Sequence, residues 1–170
     1  MSDPVVQQAQ KDEPAASVQE LLARYCAGPG ALEAEVRGMT SGQLRAYPVA
    51  GKWSTLDAIC HIGDAEQFFA DRIKRTLAMD RPLLMGADAP SYREPLQYAH
   101  RELHEELALV ELTRSQVARI LRHVPEQAWE RSGVHSENGL VTVRQLVIYA
   151  IRHLDNHLAA IREKRKALGV

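Results

Sequence analysis

Ile151-Arg152-His153-Leu154-Asp155-Asn156-His157-Leu158-Ala159-Ala160-Ile161 is the stretch from which the rest of the chain is best read. Val143, Val147, Ala150, Leu154, Leu158 and Ile161 recur at the spacing of one helical face. His153 and His157 are four residues apart, so their side chains stack one turn apart on the same side of that helix. His157 falls inside the apolar stripe, and His153 lies at its edge beside Leu146. Two imidazoles held this way can take one metal ion without backbone movement, and neutral imidazole nitrogen suits zinc, nickel or iron. Spacing alone does not separate such a site from a chance pair in a chain with seven histidines.

Working outward, Thr142 caps this helix at its start and Gly169 follows Leu168 at its end. Upstream, Leu96, Ala99, Leu103, Leu107, Val110, Val117, Leu121 and Val124 form a second long stripe, predicted to begin near Pro95 and to stop at Pro125. Trp129 to Leu140 reads as a loop with two glycines and few strand signals. A third stripe follows Ser54, with Asp57 three residues on, through Leu56, Ile59, Ile62, Gly63, Phe69, Ile73 and Leu77 to about Met79. This helix has a second apolar flank in Ala58, His61, Ala65 and Phe68, so it should be buried on two sides. Arg81-Pro82 ends it, and the loop carrying Pro90 and Pro95 is long enough to be functional. Ser17 and Glu20 form a capping box for the first helix, which Gly28-Pro29-Gly30 should kink or split. Ser41 caps a short turn through Leu44. Residues 1–16 are polar and expected to be loose, leaving residues 17–170 as a single domain. Four long amphipathic segments without convincing strands predict an all-α four-helix bundle with long connecting loops.

Composition narrows the function classes. The chain has 170 residues, 45% hydrophobic and 25% charged, with net charge −1. Such a balance supplies no overall field for nucleic acid or anionic membrane. Arg162, Lys164, Arg165 and Lys166 cluster in the last turns of the last helix, where the helix dipole favours cations. Two cysteines in separate segments form no disulfide framework and fit a reducing cytoplasm. No long apolar run marks a signal peptide or membrane span.

A catalytic metal of the zinc type needs a third protein ligand and an open position. The candidates are His61, Asp64, Glu66 and Cys60. His61 has Ala58 and Ala65 about one turn to either side, which leaves room for an ion and a substrate, at an edge of the bundle rather than on its axis. Glu66 sits in the main apolar stripe and so needs a partner: a ligand histidine, a backbone group or an arginine. Cys60 reads as a small buried hydrophobe. A second pair, His100 and His104, lies on the shoulder and side of its helix among Arg101, Glu105 and Arg114, as on a solvated flank. His123 and His135 stand alone and read as structural or exposed. No Ser-His-Asp spacing, phosphate-cradling loop or CxxC is present.

The run Pro48-Val49-Ala50-Gly51-Lys52-Trp53-Ser54-Thr55-Leu56, followed by His61 and Ile62-Gly63-Asp64-Ala65-Glu66, resembles the DinB-like superfamily. That family's pattern places Trp-Ser ahead of a helix with a histidine and an acidic residue, and closes with a His-three-His pair in the last helix. Here those positions are Trp53-Ser54, His61 with Glu66, and His153 with His157, and the resemblance covers nearly all the chain after Ser17. It implies a divalent metal, nickel or zinc, on His61, His153 and His157, with Glu66 and Asp64 as supporting candidates behind the ligands. It further implies a homodimer, in keeping with the second apolar flank at Ala65 and Phe68. The expected activity is metal-dependent hydrolysis, or thiol transfer with a low-molecular-weight thiol such as bacillithiol or mycothiol. The alternative is a non-catalytic metal-binding or stress-response dimer whose site is structural.

Overall fold

Five α-helices, three single 3-10 turns and a small sheet make up the computed structural model, which describes residues 16–170. The segment expected to be loose therefore lies, up to residue 15, outside the described residues. Helix α1 spans Val18–Val36, α2 Ser41–Arg45, α3 Thr55–Ala78, α4 Leu103–His123 and α5 Val143–Leu168. Strands β1 (Leu83–Leu84), β2 (Ser132–His135) and β3 (Gly139–Thr142) form one sheet.

Four of the five helices start on reciprocal capping boxes: Ser17 with Glu20, Thr40 with Gln43, Ser54 with Asp57, and Thr142 with Gln145. Each satisfies two backbone donors that a helix start would otherwise leave open. Thr40, not Ser41, is the cap of α2. Gly169 closes α5 with φ 74°, the left-handed geometry that glycine adopts without penalty.

The long helices are not arranged in chain order. Helix α1 packs on α4 and α5, and α3 packs on the same two, so α1 faces α3 and α4 faces α5 across the bundle diagonals. Two apolar clusters fill the interior. One is built around Leu21, Tyr25, Trp129 and Val147, the other around Leu32, Ile59, Ile62, Leu154 and Ile161. No helix among the described residues is long and apolar enough to cross a membrane.

Three expectations need correction. Helix α1 is one continuous helix through Pro29 rather than two pieces. Helix α4 begins at Leu103, not near Pro95: Gln97 takes φ 54°, a 3-10 turn spans Tyr98–His100, and Arg101 is drawn inward by Asp64 and Glu106. The loop from Trp129 holds a hairpin, with Val134 opposite Leu140, and β1 adds a parallel strand pairing Leu83 with Val134. Strands of two to four residues, broken by Gly133 and Gly139, carry too little alternation to be read beforehand. The hairpin runs directly into Thr142 and so fixes where α5 starts.

Candidate metal centre

Helix α3 contributes His61 and helix α5 contributes His153 and His157, on the flank where these two helices pack. The three ring centroids lie 4.8, 4.8 and 4.6 Å apart, with the rings edge-on to one another. One nitrogen from each ring falls within 4.8 Å of the others, and Nε2 of His61 is 2.8 Å from Nε2 of His153. The edge of Trp53 meets His61 at 5.4 Å, and Phe69 lies 5.8 Å from His153, so apolar rings wall the group at both ends.

The start of α3 is held firmly ahead of His61. Asp57 accepts from the Ser54 backbone and from the Tyr47 hydroxyl, and Arg93 pairs with it at 3.2 Å. Burial alone raises the Asp57 carboxyl; the Ser54 and Tyr47 hydrogen bonds and the Arg93 charge bring it below its ordinary value. Lys164, one of the basic residues in the last turns of α5, is buried, and its Nζ donates to the Ser54 carbonyl at 3.4 Å. It ties the end of α5 to the start of α3.

Burial and neighbouring charge keep the two imidazoles of α5 neutral. Burial, reinforced by His157, His61 and Arg114, pushes His153 well below the ordinary histidine value. Burial, with His61 and Lys164, pushes His157 down to about 3. Neutral imidazole is the form that binds a metal. Three nitrogens on a tetrahedral ion at ~2.0–2.1 Å would sit roughly 3.3 Å from one another, so the 2.8 Å approach of His61 and His153 needs to open by about half an ångström. Nδ1 of His153 is buried without a hydrogen-bond partner among the described residues, leaving that ring's bonding to its Nε2 edge. The residues present fit a divalent ion.

Both shifts run downward, so the sign is fixed. Unfolded imidazoles titrate near 6.5, and the folded ones bind protons only at lower pH. Stability from this pair is therefore complete above ~6.5 and is lost as pH falls below that, for His157 down to about 3 and by up to ~1.4 kcal/mol per pH unit. Metal-free thermal melts between about pH 7 and pH 4 should drop accordingly; a flat profile would mean that the rings are hydrated.

The carboxylates are bound elsewhere. Asp64 accepts from the Tyr98 hydroxyl at 2.7 Å and from Arg101 at 3.0 Å on both oxygens. Glu66 is fully buried and pairs with Arg114 at 2.6 Å. Of the partners open to Glu66 in the sequence, arginine is the one it has. Arg114 is itself a correction: read as part of a solvated flank, it is 1% exposed. The signal was available, because Arg114 falls four residues after Val110 and three before Val117, inside the stripe of α4. Cys60 is buried, and burial pushes its thiol up to about 12. His100 and His104 are exposed, His104 on the wall of a groove between α1 and α4, the opposite side of the bundle from the cluster. His135 is buried and accepts from the Glu137 backbone at 3.2 Å.

The sequence model of the DinB superfamily matches residues 13–161. The chain belongs to the DinB superfamily. The chain is similar to an Oceanobacillus iheyensis protein named "Putative metal-dependent hydrolase", 26% identical over 141 residues and covering 81% of each chain. The same fold is seen in YfiT from Bacillus subtilis, which superposes with a TM-score of 0.86 over 94% of this chain and 93% of that one, at 21% identity. That structure's title describes a probable metal-dependent hydrolase with an unusual four-helix bundle topology. A second structure, titled a four-helix bundle protein, reaches a TM-score of 0.62 at 21% identity, over 86% of this chain and 99% of its own. The diagonal arrangement of α1 with α3 and of α4 with α5 is this chain's form of the DinB bundle.

Proposed function

We propose that this DinB protein is a metal-dependent enzyme, most closely a hydrolase, working through one divalent ion on His61, His153 and His157. The observation that carries the reading is the composition of the ligand group. Among the described residues, no carboxylate or thiol joins the three imidazoles. Three protein ligands leave positions open, as catalytic sites do, whereas structural zinc sites close the sphere with four. An ion held there would bring a bound water or thiol close to neutral pKa, creating a nucleophile. The chain's own part is to keep His153 and His157 neutral, to aim three imidazoles at one point, and to wall them with Trp53 and Phe69. The names given to the Oceanobacillus protein and to YfiT support hydrolysis over thiol transfer. Zinc and nickel both suit the donors, and the two free thiols, Cys26 and Cys60, suit a reducing cytoplasm.

Metal analysis of protein purified without a histidine tag tests this reading first; one ion per chain is expected. Chelated protein should then regain hydrolysis of small esters or amides when zinc or nickel returns, and a parallel assay with a low-molecular-weight thiol and an electrophile separates transfer from hydrolysis. Stoichiometric metal with neither activity would favour the structural alternative.

Assembly is proposed as a homodimer. Phe68, on the second apolar flank of α3, is half-buried and packs on Tyr92 at 5.9 Å and under Arg72 at 5.7 Å, so the loop before α4 covers part of that flank. Light scattering at micromolar concentration should give twice the mass of one chain; a monomer mass refutes the assignment.

A further inference from the structure

One guanidinium ties all four long helices together. Arg114 on α4 donates through Nη2 to Glu66 of α3 at 2.6 Å and to the Ala150 carbonyl of α5 at 2.7 Å. Its Nη1 donates to the Tyr25 carbonyl of α1 at 3.2 Å, and its plane lies over the Tyr25 ring. The sequence prepares this placement at a distance. Pro29 has no N–H, so the carbonyl of Tyr25, four residues earlier, has no partner within α1 and is left for Arg114. A Cβ on Gly28 would lie 2.2 Å from Arg114 Nη1 and 2.6 Å from Leu154 Cδ2, so only glycine lets the guanidinium in.

The two acceptors shared by Nη2 stand close to the imidazoles along their helices. Ala150 precedes His153 by three residues and Glu66 follows His61 by five, roughly 4.5 and 7.5 Å of helix rise. Stability does not account for such a cluster. Buried ion pairs break even at best against apolar side chains of similar volume. This one also leaves Glu66 Oε2 and Arg114 Nε without partners among the described residues.

We infer that the Glu66–Arg114 pair is a positioning device, which fixes the spacing of α3 against α5 so that His61 meets His153 and His157 in one metal-binding geometry. This rests on the three-histidine metal reading. A guanidinium fork is rigid and planar, so one nitrogen bonded to both helices holds their separation in a way that looser apolar packing does not.

Cobalt(II) is the probe, because its visible absorption reports coordination geometry as well as occupancy. The test variant replaces the pair at once, Glu66→Leu with Arg114→Met. It should fold, with wild-type helical content and cooperative melting, yet bind cobalt at least ~10-fold more weakly and with an altered ligand-field spectrum. If that variant does not fold, Arg114→Lys decides: it keeps the charge for Glu66 but loses the fork, and should show the same shift in affinity and spectrum. A folded variant with wild-type affinity and spectrum overturns the positioning role and leaves the metal site standing. Wild-type protein that takes up no cobalt, zinc or nickel overturns both.

Discussion

His153→Ala is expected to lower the affinity for zinc or nickel by more than the ~10–100-fold that loss of a supporting residue costs, because it removes one of the three ligands proposed above. His157→Ala should do the same. The fold should survive either change: His153 donates no hydrogen bond from Nδ1, and α5 is held along its whole length by Val147, Leu154, Leu158 and Ile161. His100→Ala and His104→Ala are the controls. Both residues are exposed, and the groove that His104 lines faces away from the cluster. Titration calorimetry on the four variants reads the difference directly. Equal losses from both pairs would mean that the ion sits elsewhere.

Glu66→Ala is the second large effect. It leaves a guanidinium buried at 1% exposure with two carbonyls and no counter-charge. Removing one partner of a buried pair costs about 3–5 kcal/mol, a large part of the ~5–15 kcal/mol by which a domain is stable. Gly28→Ala should destabilise in the same direction by ~1–3 kcal/mol, since the added carbon drives into Arg114 and Leu154. Urea denaturation measures both; a cost below ~1 kcal/mol for Glu66→Ala would show that solvent reaches the pair.

What could be read in the sequence was local. The Ser54–Asp57 and Thr142 caps, the stripe of α5 and the stop at Gly169 depend on residues within a turn of one another, and they stand as read. The convergence of His61 with His153 and His157 came from the family resemblance, since nothing in the spacing distinguished His61 from Asp64 or Glu66 as a third member. Apart from the cap of α2 and the unbroken run of α1 through Pro29, the misreadings involve partners on other elements. Arg101 moved the start of α4 because Asp64 and Glu106 hold it. Arg114 was assigned to a solvated flank by its charge, when a buried carboxylate on α3 had a place for it, and the carbonyl that Lys164 reaches ahead of α3 was equally out of view. The β hairpin escaped because Gly133 and Gly139 interrupt strands that gain meaning only against Leu84.

The bundle's diagonal order has a consequence for how the protein matures. His61 and His153 are 92 residues apart in the chain, and α5 follows the other described helices in the order of synthesis. Through most of translation α3 carries a single imidazole on an apolar flank with nothing to complete it. The emerging chain therefore has no tridentate site with which to capture a metal ion prematurely. On the three-histidine reading proposed above, ion capture is then a late event that requires α5 to have left the ribosome and docked, so a metal would be acquired only by chains that have already folded.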